Sequence, residues 1–447
     1  MFSNYLKLAI KVLGRRTFFT VISLFGISFT LMILILLSAY MDAELGSHQP
    51  LSQKDQMIFL NRLMMTNEVI DTSYQIDTVM LDGVEVYDST EVLDENRNSV
   101  SISSLGYYFC DNYLRDVAGA DIYSFYSPSF SYDIFVNGKK LSFDVVYSDA
   151  DFWNIYDYQF SNGRPFRQQE VDNQGQVVVL TEKAAQDYFG SMEAAMGEFI
   201  EIDGKQFEVI GLVKRPSNSK GFLSGQAFMP LTTLQPIYLD DDKNFQGPFE
   251  AVFLASSATG MNDIEQSIQQ KAQQTALPDP ENYNHLYLIT SDFFGRYANS
   301  IFPNSDNDPE KSKRTFILIG GGLLLLFILL PTLNLINLNV SRIMERSAEI
   351  GVRKAFGAHS GSILTQLLFE NIVLTFLGGA IGFVLAFILL HLVNDSNILG
   401  DTLLRINYRV FGYSLLICLA FGIISGLLPA YRMSKIHIAN AIKQNNV

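Results

Sequence analysis

One run of charged residues stands out in the apolar C-terminal third: Arg342-Ile-Met-Glu-Arg-Ser-Ala-Glu-Ile-Gly-Val-Arg-Lys-Ala-Phe-Gly-Ala-His359. Glu349 precedes Arg353 by four residues, the order that stabilises a helix. Met344, Ala348, Val352 and Ala355 with Phe356 recur at a spacing of about four and make an apolar stripe. Gly357 is a natural stop. Glu345, Arg346, Glu349, Arg353 and Lys354 supply both signs of charge beside Ile350 and Phe356. This chemistry is recognition rather than bond-breaking. An amphipathic helix must bury its stripe against the lipid surface, against its own chain or, in the sharper reading, against a cytosolic partner protein.

Residue types that would do catalysis are not arranged for it. No Gly-x4-Gly-Lys-Ser/Thr run exists, and Gly320-Gly321-Gly322 has no lysine after it, so a P-loop is excluded. Those glycines sit in an apolar stretch, where small residues permit close helix packing. His48, His285, His359, His391 and His437 each lie more than five residues from another His or Cys, which argues against zinc. Asp240-Asp241-Asp242 reads as a solvated acidic loop. Gly-x-Ser-x-Gly is absent. The chain is expected to be neither an enzyme nor a cofactor or metal binder, and nothing points to nucleic acid.

The elements that must carry the amphipathic run are membrane spans. Uncharged apolar stretches occupy Phe18–Tyr40, Thr315–Val340, Asn371–Val393 and Val410–Tyr431. Each reaches the roughly 20 residues a helix needs to cross about 30 Å of hydrocarbon. The first is too long for a signal-peptide core, so it is expected to remain as an anchor. His391, near the outer end of the third stretch, reads as interfacial.

Charge then orients the chain. Its 447 residues have a formal charge of −14, with 48% hydrophobic and 17% charged residues and a mean hydropathy of +0.16. The low charged fraction is a large acidic domain diluted by spans. Residues 41–314 hold 19 basic and 41 acidic residues, a net of −22, whereas segments 1–17, 341–370 and 431–447 sum to +8. Basic residues flank spans on the cytosolic side. Both termini and the 341–370 loop are therefore expected in the cytosol, with 41–313 and the short loop 394–409 outside. Lys7, Lys11 and Arg15 make residues 2–14 a basic interfacial helix on anionic lipid. Cys110 lies outside and Cys418 within a span, so no intramolecular disulfide is expected.

Three hairpin signals punctuate the external segment: Asp82-Gly83, Asn137-Gly138 and Asp203-Gly204, each between strand-like runs. Gln176–Leu180 reads as a buried strand, after which Thr181 caps a helix over 182–189 that Gly190 ends. Ile264, Ile268 and Ala272 predict a helix over 262–275. Residues 303–313 read as a polar exit into the second span. The external part is thus α/β, strand-rich and expected to have two lobes.

With these residues in hand, the chain resembles the MacB/FtsX-type permeases of ABC transporters, a family that includes the lipoprotein-releasing LolC and LolE subunits. The run Arg346-Ser-Ala-Glu349-Ile-Gly-Val-Arg353-Lys-Ala-Phe-Gly357-Ala is similar to the family's coupling helix, which docks on the ATPase. Gly426-Leu-Leu-Pro429-Ala-Tyr-Arg432 followed by Ala441-Ile-Lys443 resembles the family's ending. Asp151-Phe152, Phe160-Ser-Asn-Gly163-Arg164-Pro165-Phe166, Val177–Thr181, Phe189-Gly190 and Phe207-Glu-Val-Ile-Gly211 resemble the MacB-type periplasmic core domain. Residues 67–130 match no family motif.

The resemblance implies a multi-domain membrane protein: four transmembrane α-helices and a large α/β extracytoplasmic domain, with a porter-like lobe and an inserted Sabre-like lobe at about 145–215. Its boundaries would be a cytosolic interfacial helix at 1–17, spans at 18–40, 314–340 (with a stalk), 371–393 and 410–431, the coupling region at 341–370 and a cytosolic tail at 432–447. The family pattern implies that Glu345, Arg346, Glu349, Ile350, Arg353, Lys354, Phe356 and Gly357 contact an ATPase dimer that binds ATP and Mg. It also implies a second permease subunit, the same or a paralogue, and allows a periplasmic adaptor or outer-membrane component. With 17 residues before the first span, the ATPase is expected on a separate chain. The implied activity is mechanotransmission, in which ATP hydrolysis moves the external domain to export or extract a lipoprotein, peptide or drug from the inner membrane. The alternative is an FtsX-like signalling or scaffold subunit that activates an envelope enzyme or sensor without moving cargo.

Overall fold

A computed structural model describes residues 14, 17–81, 84–136, 138–214, 225–239, 243–304, 307–345, 352, 356, 360–396, 398, 404–413, 415–416, 419–420 and 423. The chain divides into two units, residues 47–316 and residues 1–46 with 317–447.

In the second unit, α1 (Thr17–Leu45) and the long helix α9 (Ser360–Asp395) pack through small residues. A methyl group on Gly378 would stand 2.7 Å from Ile27 Cγ2, and one on Gly382 2.7 Å from the Ser28 carbonyl oxygen. Glycine at a spacing of four thus lets the two helices touch. A methyl group on Gly320, Gly321 or Gly322, where close packing was expected, would meet no other element within 4 Å among the described residues. Among the described residues, two helices, Thr20–Leu45 and Leu368–Asp395, are long and apolar enough to cross a membrane. Helix α9 starts at Ser360, inside the segment assigned to the 341–370 loop. Near its end, His391 Nε2 lies 3.5 Å from Asp395 one turn later, both largely exposed.

The 47–316 unit is built on one twelve-stranded sheet. Its strands are β1 (Met57–Leu81), β2 (Val84–Ser103), β3 (Ala120–Tyr126), β4 (Phe130–Val136), β5 (Lys139–Ser148), β6 (Phe160–Gly163), β7 (Val177–Thr181), β8 (Phe199–Ile202), β9 (Lys205–Val213), β10 (Ala227–Pro230), β11 (Glu250–Ala255) and β12 (His285–Asp292). Their order is β12-β1-β11-β3-β5-β10-β7-β9-β6, with β2 on β1, β4 on β5 and β8 on β9. The three expected hairpins are present: Leu81 pairs with Val84, Val136 with Lys139 and Ile202 with Lys205. Asp203 and Gly204 both take positive φ, 51° and 72°, as a tight two-residue turn requires.

Local signals set the helices that cover this sheet. Thr181 Oγ1 accepts from the Ala184 N–H at 3.2 Å, starting Glu182–Phe189, and Gly190 ends that helix at φ +83°. The helix expected over 262–275 runs from Ala258 to Gln274, because Ser257 Oγ accepts from the Gly260 N–H at 3.1 Å and starts it a turn early. Ile264, Ile268 and Ala272 are buried on the sheet as their spacing predicted.

The sheet narrows sharply at one place. β3 and β5 share a single register pair, Tyr126 with Ser148. The chain reinforces that seam with other groups. Ser127 N–H donates to the Tyr147 carbonyl at 2.8 Å, and Tyr147 N–H donates to Ser127 Oγ at 3.0 Å. Asp149, just past β5, accepts from the Ser124 hydroxyl at 2.6 Å, from Phe125 N–H at 2.7 Å and from Phe152 N–H at 3.1 Å. On the far side, Trp153 and Phe152 pack edge-on to one another, and each contacts Phe228.

Candidate functional site

Of the coupling-segment residues, Glu345 is the last residue of a 37-residue helix, α8 (Pro309–Glu345). Phe356 is 87% exposed, and its N–H donates to the Val352 carbonyl at 3.1 Å, one helical turn back. Arg346, Glu349, Ile350, Arg353, Lys354 and Gly357 lie outside the described residues. The described geometry instead reveals how the other end of α8 is held.

Helix α8 begins at Pro309, earlier than the polar exit read over 303–313 suggested. Pro at the first helical position leaves no orphan N–H, and Asp308 Oδ1 accepts from Glu310 N–H at 2.9 Å. The signal was present as Asp308-Pro309, a cap followed by an N1 proline, but the polar composition around it read as loop.

The preceding helix, α7 (Phe293–Ile301), leads from β12 into this start. Asp292 caps it, accepting from Gly295 N–H at 2.7 Å, and the same oxygen lies 3.0 Å from Lys313 Nζ. Lys313 also pairs with Glu310. Burial works against the Lys313 charge, but Glu310 and Asp292 outweigh it and raise its pKa. Gly295 makes this approach feasible, since a methyl group there would stand 2.8 Å from Lys313 Cε and 2.9 Å from Asp292 Oδ1.

A second lock closes the turn between the helices. The buried Ser312 hydroxyl lies 2.8 Å from the Phe302 carbonyl and 3.0 Å from Asn299 Oδ1, and accepts from Asn304 Nδ2 at 2.7 Å. Asn304 also donates to the Asp308 carbonyl at 2.7 Å and accepts from Asp308 N–H at 2.9 Å. Asn307 takes φ +51° and is bonded by Arg62 of β1. Phe316 packs edge-on against Phe294, Tyr297 and Phe302.

Helix α7 is in turn fixed to the sheet. Arg296 donates to Glu250 Oε2 at 2.6 Å and to the Tyr126 hydroxyl at 2.8 Å, and its guanidinium lies over the Phe59 ring at 4.9 Å. Burial works against the Arg296 charge, and Glu250 with Tyr126 overcomes it and keeps the guanidinium charged. The start of α8 is therefore tied through α7 to β1, β3 and β11. This root joins residues up to 245 positions apart in sequence, such as Arg62 and Asn307, so no local motif could show it.

Long apolar helices joined to a large α/β domain define a membrane protein with a bulky water-exposed part. Two family profiles cover it: MacB-like periplasmic core domain over residues 20–271 and FtsX-like permease C-terminal over 321–438. The chain belongs to the MacB/FtsX-type family of ABC transporter permeases. It is 24% identical to the uncharacterised ABC transporter permease YvrN of Bacillus subtilis over 68% of this chain and 71% of that one. With YknZ of the same organism it shares 25% over 80% of this chain and 85% of that one. A macrolide export ATP-binding/permease protein MacB from Hyphomonas neptunium is 27% identical over 61% of this chain, which spans 39% of that longer protein. Among solved structures, the periplasmic region of MacB from Actinobacillus actinomycetemcomitans aligns at TM-score 0.33 and 15% identity, over 45% of this chain and 85% of that one.

Proposed function

We propose that the chain is the permease subunit of an ABC transporter that works by mechanotransmission. A separate cytosolic ATPase dimer binds ATP and Mg, closes, and pushes the segment around Glu345, Arg346, Glu349, Ile350, Arg353, Lys354, Phe356 and Gly357. Four spans, with both termini cytosolic, carry the push to the external domain, and a second permease subunit completes the complex in the inner membrane. The external movement exports or extracts an envelope substrate. What supports this reading most is helix α8: it is rooted through Ser312, Lys313 and Phe316 and ends on the first residue of the coupling segment. A 37-residue helix is about 55 Å long at about 1.5 Å per residue, enough to cross hydrocarbon and extend beyond it.

The test is co-purification with the ATPase. Reversing both charges, Glu349→Lys with Arg353→Glu, is expected to abolish the complex and with it the stimulated ATP hydrolysis. An intact complex with unchanged hydrolysis would overturn the assignment of the coupling segment. Cargo transport by the intact complex separates this reading from the signalling one, which predicts an active complex that carries nothing.

A further inference from the structure

The linker after the first helix grips the sheet beyond its narrow seam. Six residues, 46–51, separate the end of α1 at Leu45 from Ser52. Leu51 is buried in the core, and Lys54 Nζ stands 5.4 Å from the centre of the ring of Phe293, the first residue of α7. The linker is thus pinned beside the root of α8. It also meets Asp157, 105 positions after Ser52. The Asp157 carboxylate takes both donors of Ser52: Oδ2 accepts from the hydroxyl at 2.7 Å and Oδ1 from the N–H at 3.3 Å. The Asp157 N–H donates in turn to the Pro50 carbonyl at 3.2 Å. Neither segment is a strand, so these three bonds are a fastening of their own, and two of them end on a carboxylate, the stronger kind.

The mount around Asp157 is stiff. Tyr156 and Tyr158, on either side of it in the chain, are buried. Tyr156 packs edge-on to Tyr126 at 6.1 Å, and Tyr158 edge-on to Phe228 of β10 at 5.2 Å. Through Tyr158, and through the chain that continues into β6, a pull on Asp157 acts on strands beyond the seam. Two routes therefore lead from α1 to the β4–β10 segment. One runs through β1, β11 and β3 and crosses the seam, where Tyr126 and Ser148 make a single register pair. The side-chain bonds of Ser127, Tyr147 and Asp149 gather at that same point, so the segment can turn about it. The other route runs from α1 through the linker to Asp157 and does not cross the seam.

We propose that Asp157 is a positioning residue that hands movement of the first span directly to the β4–β10 segment, with the seam as the pivot. That α1 moves rests on the permease reading above; the grip of Asp157 on the linker does not.

The experiment uses the full chain in phosphatidylcholine nanodiscs, with Cys110→Ser and Cys418→Ser. Spin labels at Glu193→Cys and Gln273→Cys, exposed sites on either side of the seam, report the distance across it by double electron–electron resonance. Without the ATPase, Asp157→Ala is expected to widen the distance distribution. Ser52→Ala, which removes the hydroxyl and keeps the amide bond, is expected to widen it less. Asp157→Asn can still accept from Ser52 N–H through Oδ1 and donate to Ser52 Oγ through Nδ2, so it is expected to keep the parental width. An unchanged width in Asp157→Ala, or an asparagine variant as wide as the alanine one, overturns the grip. In the complex with the ATPase, trapping with ATP and vanadate is expected to shift the distance in the parent and in Asp157→Asn. In Asp157→Ala that shift is lost while ATP hydrolysis continues, an outcome that general destabilisation of the complex would not give. A shift that survives in Asp157→Ala, or no shift in the parent, overturns the transmission. A chain that binds no ATPase overturns the permease reading instead, and the ATPase-free widths still decide the grip.

Discussion

Asp149 is the most telling single residue. Desolvation pushes its carboxyl from the ordinary 3.8 up to about 7, against the pull of the Ser124 hydroxyl and the Phe125 and Phe152 amides. An acid whose native pKa is raised keeps its proton in the folded state where the unfolded chain has already released it. Stability therefore falls as pH rises from about 4 towards 7, is fully reduced above about 7, and is unaffected by this group below about 4. Urea unfolding of the full chain across pH 4–8 is expected to show this slope, and Asp149→Asn is expected to flatten it. An equal slope in both proteins would remove Asp149 as its source. Nothing in Ser-Asp-Ala-Asp at 148–151 announces a desolvated carboxyl; only the approach of β3 from 25 residues away creates it.

Among elements, the legible ones were those whose instructions are local. Thr181 and Gly190 mark a helix by cap and stop, and three turn dipeptides mark hairpins, because a few backbone angles decide each. The length of β1 and β2 was not legible from Asp82-Gly83, since strands with polar residues on both faces give no clean alternation. The start of α8 was hidden in polar composition, although Asp308-Pro309 encodes it. The junction of α7 and α8 gives the prediction at this scale. Gly295→Ala forces a methyl group against Lys313 and Asp292, and overpacking of this kind costs about 1–3 kcal/mol. A lower melting temperature of the full chain is expected, together with ATP hydrolysis by the complex that no longer drives transport. Full coupling in this variant would show that the root does not carry the motion.

For the whole molecule, charge was the readable quantity. A net −22 over residues 41–314 against +8 elsewhere is what the expected topology rests on. The consequence is measurable with single cysteines in a background of Cys110→Ser and Cys418→Ser. Asp121→Cys, exposed at β3, is expected to react with a membrane-impermeant maleimide in spheroplasts, and Asn446→Cys only after lysis. The reverse pattern would invert the topology. Permease family membership follows from the two matched profiles, whereas cargo and partners are properties of surfaces that no composition encodes.

The narrow seam between Tyr126 and Ser148 has one more consequence. Strands β3 and β11 pair directly along their length, from Tyr126 opposite Glu250 to Ala120 opposite Ala255. The intervening chain, with β4 to β10, leaves from one edge of that ladder and returns to it. Removing residues 130–230 would break one ladder pair, the hydrogen bonds of Tyr147 and Asp149 across the seam and those of Asp157 to Ser52, and leave β12, β1, β11 and β3 contiguous beside the root of α8. Residues 130–230 are thus a cassette in the architectural sense. A sheet of this plan can lose or exchange that segment and still keep the ladder that carries the root of α8.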